Sequence, residues 1–136
     1  MEACREIVAK RGNKGIKPGE AVLTTAGQLP ARFVIHTAGP IWKGGSKREG
    51  KVLADCYQNS LLLAHEHCLS SVAFPNISTG VYGYPKEEAA EIAIGMVRYC
   101  LQEAQCTNVK EVRFVCFDDE NFQLYRQRMR GEAISL

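Results

Sequence analysis

The segment 74–85, with the sequence FPNISTGVYGYP, contains the residue types that bind an anion. Ser78 and Thr79 offer hydroxyl groups, and Gly80 lets neighbouring backbone N–H groups approach a ligand with no Cβ in the way. The segment has no lysine and no Walker pattern, which disfavours nucleotide hydrolysis of the P-loop kind. We therefore predict that this segment holds a diphosphate by its backbone. An ordinary glycine-rich turn is the alternative.

A second candidate region is the sequence FDDEN at 117–121. Phe117 is a candidate to stack on a base, and an ordinary core phenylalanine is the alternative. Asp118 or Asp119 is predicted to cap a following helix, because a carboxylate accepts hydrogen bonds from the free N–H groups of its first turn. If the strands before both regions run parallel, the two regions lie on the same rim of a sheet.

Apolar periodicity predicts the elements that position these regions. Helical spacing predicts helices over 2–11, 49–68, 86–104 and 119–129, and apolar runs predict strands over 21–25, 33–37, 71–74 and 111–117. The order α-β-β-α-β-α-β-α, with strands of the buried type, predicts an α/β fold: a three-layer α/β/α sandwich with a mixed, largely parallel sheet. Ligands of such sheets bind at the carboxyl ends of the strands, where the segment 75–85 begins.

Length and composition indicate one folded domain over residues 1–136. The chain is 46% hydrophobic and carries a formal net charge of +2, which argues against disorder. The apolar runs are too short for a membrane span, and the charged N-terminus does not resemble a signal peptide. Basic residues are interspersed, so nucleic acid is not a predicted partner; Arg126, Arg128 and Arg130 are interpreted as a solvated helix face.

The cysteines and histidines predict no further site. Six cysteines without a secretion signal indicate a reduced, cytoplasmic protein, with Cys68 and Cys106 partly exposed. His65 and His67 point about 200° apart on a helix, so no metal site is predicted. His36, in the middle of an apolar strand, is interpreted as a core histidine with a hydrogen-bond partner rather than a catalytic base.

Several segments resemble the macrodomain family. They are LPARFVIHTAGP at 29–40, SVAFP at 71–75, ISTGVYGYP at 77–85, AAEIA at 89–93 and FVCFDDEN at 114–121. The resemblance extends over nearly the whole chain and is strongest to the bacterial O-acetyl-ADP-ribose deacetylase branch. It implies a macrodomain-like sandwich, and an activity on O-acetyl-ADP-ribose or on mono-ADP-ribose attached to protein.

The resemblance also implies a ligand and its contacts. ADP-ribose or O-acetyl-ADP-ribose is the expected partner, with ADP-ribosylated protein as a further one, and no cofactor is expected. The diphosphate and the distal ribose would be held by a consecutive run of residues: Ile77, Ser78, Thr79, Gly80, Val81 and Tyr82. Phe117 matches the position where the family places an aromatic ring on the adenine.

The chain departs from the family at its start. Family members begin with two further strands, including an Asn-Ala-Ala-Asn strand and a glycine-rich loop, which carry the residues associated with hydrolysis. We therefore expect a domain that is truncated at its N-terminus, has no catalytic residue and is inactive alone, although the parent protein is a hydrolase. A non-catalytic ADP-ribose-binding module, or an inactive fragment, is the alternative.

The segment expected to be missing belongs inside the family's sheet, so its loss would leave unpaired backbone groups and apolar side chains facing a gap. Three explanations stay open: a misassigned start, a processed or cloned fragment, or a second copy that supplies the surface by self-association through the exposed sheet.

Overall fold

The computed structural model describes residues 16–25, 32–45, 48–80, 82–103, 106–116 and 118–129. The predicted helix over 2–11 lies outside the described residues. Within them, four strands and three helices follow one another as β1 (Ala21–Thr25), β2 (Phe33–Thr37), α1 (Glu49–Glu66), β3 (Ser71–Phe74), α2 (Lys86–Gln102), β4 (Glu111–Phe114) and α3 (Asp119–Arg128).

Most of these bounds agree with the sequence analysis. The first three strands have the predicted bounds, whereas α1 and α2 each end two residues before the predicted end and α3 one residue before it. The fourth strand was predicted to reach Phe117 but ends at Phe114. It ends there because its partner strand ends at Phe74, and the Val115 N–H makes one last hydrogen bond to the Phe74 carbonyl at 2.8 Å.

The described strands form two separate pairs. β1 and β2 are antiparallel, with Leu23 opposite Ile35 at the centre. β3 and β4 are parallel, with Phe74 opposite Phe114 at their carboxyl ends. In the described part of the chain, no strand joins the two pairs into one sheet.

Helices α1 and α3 pack on one face of the β3–β4 pair. Tyr57 of α1 contacts the ring of Phe74 with centroids 4.9 Å apart, and Tyr125 of α3 contacts Phe114 at the same distance. α2 packs against both α1 and α3. The core is therefore an aromatic cluster between the parallel strands and the helices, in agreement with a helix-covered α/β fold.

The other face of the β3–β4 pair is exposed among the described residues. Ser71, Ala73, Glu111 and Arg113 are all exposed, and they alternate with the inward residues of the same strands. This alternation is typical of a strand with one solvated face. The apolar runs predicted strands that are buried on both faces, and the alternation corrects this prediction for the described residues.

The structure also places the cysteines. Cys106 is buried, contrary to the expectation of partial exposure, whereas Cys68 is exposed as expected. Burial raises the pKa of the Cys100 thiol to about 12. None of the described helices is long and apolar enough to cross a membrane.

Candidate functional site

The two predicted site regions begin at the same end of the β3–β4 pair, where both strands have their carboxyl ends. Because β3 and β4 are parallel and in register, the loop after Phe74 and the loop after Phe114 begin side by side. A contact joins them, since the Asn76 Nδ2 lies 3.7 Å from the Cys116 Sγ. The prediction of a shared rim is therefore confirmed for residues 75–80 and 115–116. Val81 and Phe117 lie outside the described residues, so their predicted roles stay predictions.

The segment 76–84, called the 76–84 loop below, turns back on itself, as the bonds between its described residues show. The Tyr84 N–H donates to the Ser78 carbonyl at 2.8 Å, and the Gly83 N–H donates to the Gly80 carbonyl at 3.0 Å. The turn requires a positive φ at two positions, +65° at Ser78 and +73° at Gly83. A positive φ is uncommon for serine, so the surrounding contacts hold Ser78 in this conformation.

The hydroxyl groups of the 76–84 loop point into the protein. The Thr79 Oγ1 donates to the Asn76 carbonyl at 3.2 Å, and the Thr79 residue is buried. The Ser78 Oγ is buried next to Gly39, where a Cβ would come within 2.2 Å of that oxygen. Both hydroxyls were predicted as ligand groups, but both are turned inward: that of Thr79 fastens the loop, and the Ser78 Oγ has no hydrogen-bond partner among the described residues.

The part of the loop that faces open space is backbone. Gly80 is exposed, and a Cβ built on it would meet no atom within 4 Å. Among the described residues, nothing accepts a hydrogen bond from the N–H groups of Gly80 and Tyr82. The Tyr82 side chain is 45% exposed beside them. This arrangement, with free amides and open space, can take an anion without moving a side chain.

Trp42, for which the sequence predicts no role, supports the 76–84 loop. Its backbone N–H donates to the Tyr82 carbonyl at 2.9 Å, and its ring packs on the Tyr84 ring with centroids 4.7 Å apart. Gly39 and Trp42 both follow β2, so this second loop closes on the first. The sequence signal was the Gly39-Pro40 break after an apolar strand, which marks a close approach of two backbones.

A cavity of about 1030 Å³ begins at the 76–84 loop and runs between the two strand pairs. Its walls are β2 and β3, and the loop residues Ile77, Ser78 and Tyr82 line one end. The Ser60 Oγ on its floor is buried, with no hydrogen-bond partner in the described part of the chain. The cavity is large enough for a small-molecule ligand.

The helix ends on this rim are already neutralised. Asp118 caps α3 as predicted, since its Oδ1 accepts from the Asn121 N–H at 2.8 Å. That bond and the ammonium of Lys86, 2.9 Å from the Oδ2, hold the pKa of Asp118 below its usual range. The first turn of α2 contains Glu87 and Glu88. The 76–84 loop is therefore a more favourable place for an anion than the start of α2, where two carboxylates would repel it.

The histidines have the partners of structural residues. The His36 Nε2 lies 2.9 Å from the Thr24 Oγ1, and burial lowers the pKa of His36. The Asn108 N–H donates to the Nδ1 of His65, and the Nδ1 of His67 lies 2.9 Å from the Leu63 carbonyl. The described residues contain no group of three potential ligands that could hold a metal ion.

Comparisons with known proteins show which family this chain resembles. A family model described as the macro domain matches residues 1–93. An O-acetyl-ADP-ribose deacetylase of Klebsiella pneumoniae is 50% identical over 127 residues, which cover 93% of this chain and 70% of that protein.

Solved structures agree with these matches. An Oceanobacillus iheyensis macrodomain solved with ADP superposes with a TM-score of 0.87 at 40% identity, covering 93% of this chain and 66% of the other. A Trypanosoma brucei macrodomain in complex with ADP-ribose gives 0.76 at 38% identity, covering 84% and 47%. The chain thus spans about two thirds of the length of the first of these solved chains and about half of the second.

Proposed function

Since this chain belongs to the macro domain family, we propose that it binds ADP-ribose and that the 76–84 loop holds the diphosphate. The observation that carries the proposal is that the N–H groups of Gly80 and Tyr82, beside open space, donate to no acceptor among the described residues. The relatives support the same ligand chemistry, because two solved macrodomains contain ADP or ADP-ribose and a third relative is an O-acetyl-ADP-ribose deacetylase. The cavity beyond the loop has room for the rest of the ligand.

The chemistry of the 76–84 loop favours binding over catalysis. It contributes backbone amides, two tyrosines and an asparagine, and it contains no carboxylate, histidine or lysine. General acid–base catalysis needs a titratable group within reach of the reacting atoms. We therefore propose that residues 16–129 orient the ligand. O-acetyl-ADP-ribose deacetylation, or removal of mono-ADP-ribose from protein, is the reaction class we propose for the parent protein.

A cytoplasmic location and self-association complete the proposal. The described cysteines are free thiols, which agrees with a reducing compartment. Self-association through the cavity between β2 and β3 is supported by the edges of these strands, which pair with no other strand in the described part of the chain and which each copy would present. Sedimentation that depends on protein concentration would support a dimer, and a monomer at high concentration would contradict it.

The test of the binding proposal is calorimetric titration with ADP-ribose of the wild type, Gly80→Asp and Gly80→Asn. The two variants have nearly the same shape and differ in charge, and a Cβ at this position has open space. Gly80→Asp should weaken binding on the order of a hundredfold or more, because charges about 4 Å apart repel by roughly 4 kcal/mol near a protein surface. Gly80→Asn should lose far less.

Two outcomes would contradict these proposals. Equal affinities of Gly80→Asp and the wild type would place the diphosphate away from this loop. Turnover of O-acetyl-ADP-ribose by the purified 136-residue chain, above the level of Gly80→Asp, would show that this chain performs the chemistry as well as the binding.

A further inference from the structure

A carboxylate lies buried at the start of α1, outside the 76–84 loop. Glu49 is 2% exposed. Its Oε2 accepts hydrogen bonds from the backbone N–H groups of Lys43 and Gly45, each at 2.9 Å. Burying an ionised carboxylate is unfavourable unless hydrogen-bond donors surround it. Here the donors belong to the turn 42–45, so the carboxylate and the turn hold each other in place.

The backbone conformation of the turn 42–45 allows two of its N–H groups to bind the Glu49 carboxylate. Gly44 and Gly45 have φ angles of +82° and +88°, in the left-handed region that favours glycine. This backbone path directs the Lys43 and Gly45 N–H groups to one oxygen atom. Gly45 also lies against the ring of Trp42, where a Cβ would come within 3.1 Å of the Cη2 atom. Trp42 is therefore packed between the turn and the rest of the protein.

Trp42 connects the turn 42–45 to the 76–84 loop. As described above, its N–H donates to the Tyr82 carbonyl and its ring packs on Tyr84. Tyr84 is buried, and its hydroxyl lies 3.6 Å from the position of a Cβ on Gly50, next to Glu49. Burial, followed by the negative charges of Glu88 and Glu49, raises the pKa of Tyr84. The carboxylate, the turn and the end of the loop thus form one contiguous set of contacts.

We propose that Glu49 is a positioning residue for ligand binding: by anchoring the turn 42–45 it holds Trp42 in place, and through Trp42 it fixes the Tyr82–Tyr84 end of the 76–84 loop. Glu49 acts through the turn, not by touching the ligand. The inference rests on the proposed function, because it assigns a consequence for ADP-ribose affinity to a residue outside the loop. A residue that served stability alone would leave the affinity of the folded protein unchanged.

The experiment uses the 136-residue chain with Glu49→Ala, Glu49→Gln and a control on the same helix, Asp55→Ala. Asp55 pairs with Lys51 on the surface, away from the turn. Each variant is titrated calorimetrically with ADP-ribose under conditions where circular dichroism shows it to be folded. The emission spectrum of Trp42, the single tryptophan of the chain, reports the packing of the turn directly.

Glu49→Ala should weaken ADP-ribose binding by about tenfold or more and shift the Trp42 emission to longer wavelength. The size follows from the loss of hydrogen bonds to a charged group, each of which changes an equilibrium by roughly one order of magnitude. Glu49→Gln keeps an acceptor oxygen without the charge, so it should give a smaller loss and a smaller shift. Asp55→Ala should leave both measurements unchanged.

The outcomes separate this inference from the proposed function. Wild-type affinity in folded Glu49→Ala, with or without a lower melting temperature, would overturn the inference and leave ADP-ribose binding intact. If Glu49→Ala does not fold, Glu49→Gln decides in the same way. If the wild type gives no heat with ADP-ribose, the proposed function fails. The Trp42 emission of the variants then decides whether Glu49 holds the turn: an unshifted spectrum would overturn the inference.

Discussion

The two strand pairs of this molecule are buried to different extents. β3 and β4 each end in a buried phenylalanine, Phe74 or Phe114, which packs against the helices. In contrast, no residue of β1 or β2 is buried. The parallel pair with its three helices is therefore the better packed part of the described structure, and the antiparallel pair contacts it through α1.

The candidate site lies where these two regions meet. The 76–84 loop belongs to the parallel pair, because it follows β3 and begins beside the end of β4. Its supports, Gly39 and Trp42, belong to the antiparallel pair, because both follow β2. The 76–84 loop thus extends from the well-packed region but is fastened by the less buried one. Changes in either region should therefore affect the site by different routes.

The largest expected effect compares one residue type in both regions. Phe114→Ala should lower the free energy of unfolding by about 3–5 kcal/mol, because it removes a buried ring from the aromatic cluster. Phe33→Ala removes the same atoms from β2, where the side chain is only partly buried, and should cost roughly 1 kcal/mol. Urea denaturation of both variants measures the difference. Equal losses would break the distinction between the two regions.

A second comparison tests the junction at Gly39. A Cβ there would come within 2.2 Å of the Ser78 Oγ and 2.7 Å of the Ile77 Cγ2. Gly39→Ala should therefore cost about 1–3 kcal/mol of stability, in the range of an overpacked site, and should also weaken ADP-ribose binding by displacing the loop.

The matched second variant for this test is Ser78→Gly. It removes the atom that clashes and suits the positive φ at position 78. A double-mutant cycle should show that Ser78→Gly restores part of the loss caused by Gly39→Ala. Purely additive effects on the free energy of unfolding would show that the two loops are not in contact in solution.

The sequence predicted local structure better than the contacts between distant segments. The short strands β1, β2 and β3 are apolar runs followed by breaks at residues such as Gly39 and Pro75, so their bounds could be read directly. The strand from 111 was predicted too long, because Val115 and Cys116 continue the apolar run although no partner strand remains beside them. Sheet pairing depends on what lies opposite, which a single run of residues does not contain.

For the candidate site too, the sequence predicted the local segments but not the contacts between them. The motif of residues 77–80 located the loop, and parallel strands predicted the shared rim. The inward orientation of the Ser78 and Thr79 hydroxyls was not predictable, because it depends on Gly39 and the Asn76 carbonyl. The sequence does contain a signal for Glu49, because it precedes Leu53 and Tyr57 at helical spacing and so places a charged residue on the buried face of α1.

The smallest expected effect concerns the rim itself, at Asp118. The pKa of this carboxyl is lowered by the Asn121 N–H and by Lys86. A lowered folded-state pKa means that the ionised carboxylate stabilises the fold above its unfolded-state pKa of about 3.9. That contribution is lost as the pH falls through the lower folded-state value. Asp118→Asn keeps an oxygen for the cap but loses the ion pair with Lys86.

Asp118→Asn should therefore melt slightly below the wild type at pH 7, and the difference should shrink as the pH falls below about 4. Asp119→Asn, which removes the same charge from the next position, serves as the control and should show a smaller difference at pH 7. Melting temperatures measured from pH 7 to pH 3 test both. A difference that stays constant over this range would mean that Asp118 acts through shape alone, and the Lys86 ion pair would then contribute nothing to joining α2 and α3.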